Sequence, residues 1–313
     1  MTKSTVSNID TVDHFRQMWR GNISTTQLTR KGFQGRILRA DIQSCELTCG
    51  TFVGSRRSAG AFSLERPTLG IFTRADRALL SGVECRPGDI SLFPAGYEHS
   101  AVYDGQVSYL LLSMPERILR SGAEDIGVNL SNRFLRDPAV LRPRAGSAAT
   151  LVAEMNRLIR AASAGAVYRE EPAQTIRDDA LLFFARILLK AGMAEERRPS
   201  RRLANASRVV RRCEEWLHTH PMQNVRVDAL AQAAGVSTRT LHRAHVQLLG
   251  TSPHRYAKLH RLSRAREALS EATPDASSVT EVAHALGFWE LGRFAVDYHR
   301  LFGEVPSATL ARA

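Results

Sequence analysis

Cysteine is scarce in this chain. Four residues in 313, at positions 45, 49, 85 and 213, are too few to staple a disulfide scaffold and suit a reducing compartment. No second ligand pair accompanies Cys45 and Cys49, and the ELT between them alternates like a strand, so ordinary thiols are expected there rather than a metal or redox centre. Long apolar runs are also missing. Nothing reaches the roughly eighteen residues that would span a bilayer, and MTKSTVSNID lacks the apolar stretch of a signal peptide, so a cytoplasmic protein with no membrane partner is expected. Before residue 200 histidine occurs only at 14 and 99, whereas a catalytic metal needs about three protein ligands. With no Ser/His/Asp or Cys/His spacing either, neither a cofactor nor enzymatic activity is expected.

Positive charge, by contrast, is abundant. Forty-three Lys and Arg against thirty-one Asp and Glu leave a formal net charge of +12, which favours a polyanionic partner and says nothing of the fold. Residues 201–313 hold 16 basic and 10 acidic side chains, so the shorter part is the more densely positive.

The periodicity changes along the chain. Between about 33 and 113, FQGRILRADI, CELTCGTFV, LGIFTR, DISLFPAG and VSYLLLS are short and rich in β-branched and aromatic residues, with Gly, Pro, Ser and Asp at the turns. They predict strands of a sandwich or barrel. From about 147, AATLVAEMNRLIRAA and DDALLFFARILLKAG carry apolar residues at helical spacing. EERRPSRR, 195–202, has no apolar residue and reads as a linker. Everything after it reads helical. The expected class is α+β, divided as 1–146 (β-domain), 147–194 (helical segment), 195–207 (linker) and 208–313 (all-α domain).

Within that last part the text repeats. Ala231 and Ala283, and Gly235 and Gly287, lie 52 apart; Leu241 and Phe294, Gly250 and Gly303, and Pro253 and Pro306 lie 53 apart. Each copy reads as a short helix, a glycine turn and a second helix, the helix-turn-helix unit, whose second helix fits a DNA major groove about 12 Å wide. Gly235 suits a left-handed C-cap, Ser237 and Ser252 suit N-caps, and Ser278 with Glu281 suits a capping box. Two copies joined by a long helix would put two reading helices in successive grooves.

LAQAAGVSTRTLHRAH, GTSPHRYAKLHRLSRAREAL and VTEVAHALGFWELGRFAVDYHRLFGEVPS together resemble the DNA-binding domain of the AraC/XylS family of bacterial transcription regulators. The resemblance covers about 209–313. It implies double-stranded promoter or operator DNA as partner, RNA polymerase as a further one, and base contacts from the first turns of each second helix. In the first copy these fall on Thr238, Arg239, His242 and Arg243; in the second the matching positions are Leu291, Gly292, Ala295 and Val296. None of the latter has a polar side chain, so this helix is expected to touch thymine methyls, with Arg293 on phosphate and Glu290 nearby. Trp289 suits either that face or the core. His245 stands at a core position, and Arg261, Arg264 and Arg266 on the long helix suit either phosphate contact or a solvated face, Arg264 being the candidate taken.

Further upstream, GDISLFPAGYEH, with Gly88, Pro94, Gly96 and His99, resembles the second motif of the cupin barrel. The first motif, with its histidine pair, is absent, so the implied domain is a metal-free, cupin-like sensor for a small molecule of unknown identity. Phe93, Tyr97, His99 and Tyr103 are its candidate lining. The apolar LLFFARILL, with Leu181, Phe184 and Leu188, suits a homodimer interface or packing on the chain's own barrel. The reading is an effector-responsive transcription regulator, expected as an activator. A cupin-type enzyme with an accessory helical domain and a ligand-independent DNA-binding protein are the alternatives.

Overall fold

The computed structural model describes residues 2–9, 22–29, 33–42, 45–125, 135–143, 149–150, 153, 195–222, 225–273 and 277–312. The helices expected between 147 and 192, and Leu181, Phe184 and Leu188 on the second of them, lie almost wholly outside these residues.

Among the described residues the amino-terminal part is one antiparallel sheet of eleven strands: β1 Thr2–Ile9, β2 Ser24–Gln27, β3 Gln34–Ile42, β4 Cys45–Val53, β5 Arg56–Gly60, β6 Thr68–Leu80, β7 Val83–Cys85, β8 Ile90–Phe93, β9 His99–Ser113, β10 Ala139–Arg142 and β11 Glu195–Arg197. Helix α1, Glu116–Glu124, follows β9. The long strand β9 organises the sheet. Along one edge its first half pairs with β5 and its second half with β4, while the other edge runs against β6. Register shifts between Phe72 and Arg74 and between Ala75 and Arg77 bend β6, as bulges do. The sheet thereby folds around Phe33, Ile37, Phe52, Phe72, Phe93, Tyr103, Tyr109 and Leu111. A buried Asp89 accepts two hydrogen bonds from Arg142, at 2.8 and 2.7 Å, and ties β10 to the turn before β8.

The stretch 195–202, read as a linker, is ordered structure. Glu195–Arg197 pairs with β10, and Ser200 accepts from the Leu203 amide at 3.2 Å to cap the next helix. Its charges sit on a sheet edge and a helix start, where the lack of apolar residues is tolerated.

The helical part comprises α2 Arg201–Thr219, α3 Val227–Ala234, α4 Thr238–Leu249, α5 Pro253–Glu271, α6 Val279–Ala285, α7 Leu291–Phe302 and α8 Pro306–Leu310. Its ends follow the local chemistry of the sequence. Ser237, Ser252 and Ser278 each accept from the amide three residues on, Ser278 within a full capping box, and Gly235, Gly250 and Gly303 close helices in the left-handed region. The repeat is structural as well: α4 and α7 begin and end 53 residues apart. A side-chain contact inside each copy repeats with the same spacing. His245 meets Tyr256 edge-on at 5.8 Å between ring centres, and 53 residues later Tyr298 hydrogen-bonds Thr309 at 2.7 Å.

The two parts share a core. Leu28, Leu79 and Val102 of the sheet join the helical cluster of Val210, Leu217, Leu230, Leu241 and Tyr256. Beside them Arg57 of β5 donates to both carboxylate oxygens of Glu214 on α2, at 3.0 and 2.9 Å, and Glu214 also accepts from the Tyr256 hydroxyl. Burial works to raise the Glu214 pKa, but Arg57 and Tyr256 hold it below the ordinary carboxylate value. With side-chain exposures of 3% and 16%, removing either partner strands a charge at a cost of about 3–5 kcal/mol.

Candidate nucleic-acid interface

Each reading helix is aimed by the turn before it. In the first unit Gly235, at φ 66°, reverses the chain out of α3, and Ser237 then starts α4. Thr238, Arg239, His242 and Arg243 emerge together on its exposed face, while Leu241, Ala244, His245 and Leu248 turn into the core. No carboxylate lies on α4, so its two guanidiniums project from a helix end whose free amides also favour anions. Their five donors in a fixed fork match guanine O6 and N7. His245 is a core residue. It is fully buried, its Nδ1 is 3.0 Å from the Leu241 carbonyl, and burial lowers its pKa.

The second unit repeats the geometry with other chemistry. Gly287, at φ 72°, makes the turn. Leu291, Gly292 and Val296 are exposed, Ala295 is half-buried, and Phe294, Tyr298 and Leu301 fill the core side. Val296, the counterpart of Arg243, is 56% exposed. Trp289 is 63% exposed and stacks on His284 at 5.1 Å, so of its two readings the core one is excluded; Phe288 and Phe294 take that place. Glu290 and Arg293 are both solvent-exposed and 3.9 Å apart, a pair too loose and wet to restrain either.

A groove of about 360 Å³ runs beside this end, between α5 and α7. His254, Lys258 and Arg261 line it from α5, and Trp289, Arg293 and Asp297 from the other side; Lys258 pairs with Asp297 at 2.5 Å. His254 and Lys258 escaped the sequence reading, although their spacing of four from the start of α5 puts them on one helical face. The arginines of α5 divide. Arg264 is engaged by His218 and Glu267. Arg266 is buried against Glu304 at 2.7 Å and over the Phe302 ring, so it is neither solvated nor a phosphate contact. Arg261 stacks on Phe288 at 4.8 Å.

In the sheet domain the four lining candidates separate. Phe93 and His99 come together with Phe62, whose ring lies 4.0 Å from the imidazole and nearly parallel to it. Tyr97 stacks on Phe93 at 6.4 Å, whereas Tyr103 faces a different neighbour. That neighbour is Arg56, fully buried with its guanidinium 4.3 Å from the Tyr103 ring, 4.9 Å from Phe52 and 5.3 Å from Phe33. Burial lowers the Arg56 pKa, against the pull of Tyr109 and Tyr103. A cavity of about 10 Å³, room for one water, remains among Phe62, Phe72, Phe93, Tyr103 and Tyr109. His99 is 2% exposed, and burial, with Arg57 nearby, pushes its pKa down to about 3, so it is neutral. Among the described residues no His, Cys, Asp and Glu cluster could hold a metal, and no helix is long and apolar enough to cross a membrane.

Comparison with known proteins bears on the helical part. A family profile described as a helix-turn-helix domain matches residues 230–312. The probable thc operon regulatory protein of Rhodococcus erythropolis is 39% identical over 102 residues, 33% of this chain and 31% of that protein. The XylDLEGF operon transcriptional activator of Pseudomonas putida is 38% identical over 99 residues, 32% and 31% of the two chains. The chain thus spans about a third of the length of these curated relatives. A solved structure of a probable AraC family transcriptional regulator from Rhodopseudomonas palustris CGA009 is 40% identical, covering 34% of this chain and 96% of that one, with a TM-score of 0.30. Residues 230–312, with their paired units and exposed first turns, thus form a helix-turn-helix domain similar to the one these operon regulators carry.

Proposed function

We propose that the protein is a sequence-specific transcription regulator that binds one operator through both units and answers to a small molecule in its sheet domain. The observation that carries this reading is the register of α4 and α7: two helices of equal length, 53 residues apart, each with the start of its first turn exposed and with Leu241, Leu248, Phe294 and Leu301 at matching steps of the core side. Arg239, His242 and Arg243, with Thr238, read base edges in one groove; Leu291, Ala295 and Val296 meet thymine methyls in the next, while Arg293 takes a phosphate. Likeness to a transcriptional activator over this domain favours activation. The effector enters where Phe62 now stacks on His99, and it must displace that ring because the space beside it holds only about one water. Arg56 supplies the cation of the interior, which suits a ligand carrying an aromatic or anionic group. We place this activity in the cytoplasm and in a homodimer.

The test is recovery of bound fragments from sheared genomic DNA at about 150 mM salt, where phosphate-only binding is weakened. Enrichment of a few upstream sites, lost in Arg239→Ala/Arg243→Ala, is the expected result. Uniform recovery of all fragments, unchanged in that variant, would remove the sequence-specific reading.

A further inference from the structure

The two reading helices are held from behind at matching points. The last carbonyls of a helix lack partners within it. In α4 the Gly250 amide takes Val246, and in α7 the Gly303 amide takes His299, so the carbonyls that follow need other donors. The sheet domain supplies them. Arg77 of β6 donates to the Gln247 and Leu248 carbonyls at 3.2 and 3.3 Å, and Gln27 of β2 donates to the Leu301 carbonyl at 2.9 Å. Leu248 and Leu301 are the same position in the two copies, 53 residues apart. A cation at the negative end of α4 is also favoured by the helix dipole.

A third contact, Arg57–Glu214–Tyr256, joins β5 to α2 and to the start of α5. Strand alternation gives Arg56 and Arg57 opposite faces, the first among the rings of the sheet core and the second on the helical domain. All of this leaves the reading ends untouched. Arg239 lies nine residues from Leu248, roughly 14 Å along a helix, and stays exposed.

We propose that the sheet domain is a positioning element for DNA reading: it grips both recognition helices at equivalent carbonyls and thereby fixes the spacing and angle at which their first turns meet a duplex. The proposal rests on the DNA-binding function above. Pre-setting two linked contacts removes part of the ordering cost that each binding event carries. Gln27, Arg57 and Arg77 act through α4 and α7 and touch no DNA themselves.

The experiment uses the full chain and begins without DNA. Nitroxide labels go on Val246→Cys and His299→Cys, exposed equivalents outside the reading ends, in a Cys49→Ser background. Electron double-resonance distances between them are expected to broaden in Arg57→Gln and in Gln27→Ala/Arg77→Ala. The second variant removes only carbonyl contacts and keeps the test decisive if Arg57→Gln fails to fold. An unchanged distribution in a folded Gln27→Ala/Arg77→Ala overturns the proposal. Binding is then measured on the duplex that wild type enriches most from a random-sequence pool, with and without one or two base pairs inserted between its two elements. Wild type should lose about tenfold or more on insertion and the variant markedly less, since rigid coupling is what penalises wrong spacing. Tighter binding of the variant to the original duplex would also overturn the proposal, because the grip would then be a restraint on DNA binding. Failure of wild type to enrich any duplex counts against the DNA function alone, and the label distances decide the grip.

Discussion

The two helix-turn-helix units share a frame and differ in what they show to solvent. Where the first presents Arg239, His242 and Arg243, the second presents Gly292, Ala295 and Val296 at the same steps, with Trp289 and Arg293 at its edge. Inward, the correspondence is close: Leu241 matches Phe294, Leu248 matches Leu301, and His245 and Tyr298, each in contact with the residue eleven further on, are both fully buried. Packing therefore preserves the repeat while the reading face is free to diverge. One unit shows hydrogen-bonding side chains at these steps, the other small apolar ones.

The largest difference expected between the units lies in their turns. A β-carbon on Gly287 would stand 2.8 Å from the Met222 carbonyl oxygen, whereas one on Gly235 would first meet the flexible end of Arg212, at 3.4 Å; both residues have positive φ. Gly235→Ala carries mainly the backbone penalty, about 1 kcal/mol, while Gly287→Ala adds a backbone clash and should cost on the order of 3 kcal/mol. Denaturant unfolding of the two variants measures this. Equal losses would mean that the two turns are equally crowded and the contrast is wrong.

The reading faces should differ next. Arg243→Ala is expected to cost about 1–3 kcal/mol on the preferred duplex and to relax specificity at one or two base pairs. Val296→Ala, at the equivalent step, trims only exposed methyl groups and should cost under about 1 kcal/mol with an unchanged salt slope, since no charge is removed. Equilibrium titrations at two salt concentrations separate these outcomes. If Arg243→Ala weakens all sequences alike, Arg243 is a phosphate contact and the first unit reads no more polar information than the second.

What could be read from the chain in advance follows the range of the interactions involved. Caps and turns are local, so Ser237, Ser252, Ser278, Gly235 and Gly287 were legible from their neighbours alone. Strand β4 and the second half of β9 announced themselves by their apolar, β-branched and aromatic content, but β5 did not: RRSAG lacks such residues, and only pairing with β9 sorts its two arginines to opposite faces. That sorting depends on a partner some forty residues away. The same holds for Glu195–Arg197, which becomes a strand only beside β10. Trp289 was ambiguous because an aromatic at a helix start fits core or surface, and Phe288 next to it settles which one goes in.

Acid should separate the units as well, by a smaller margin. The first unit buries an imidazole where the second buries a phenol. His245 corresponds to Tyr298, and His260, on the helix that follows the first unit, has its pKa pushed down to about 4 by burial, with Glu214 opposing that shift and Arg264, His218 and Arg57 adding to it. His245 is lowered by burial too, with the Leu241 carbonyl and Glu214 opposing and His242 adding. A histidine whose folded pKa lies below its unfolded value of 6.5 leaves the folded state with fewer protons. Its stabilising effect is complete above that value and is lost as the pH falls from there toward 4, because the unfolded chain gains protons that the folded one refuses. At about pH 5.5, one unit below the unfolded value, the loss from His260 alone is about 1.4 kcal/mol. The expected sign of the difference is lower hydrogen-exchange protection of α4 than of α7 on going from neutral to mildly acid solution, after correction for intrinsic exchange. An equal fall in both helices would mean that they open as one body, coupled through α5 and the sheet domain, and the acid sensitivity of the first unit would then belong to the whole.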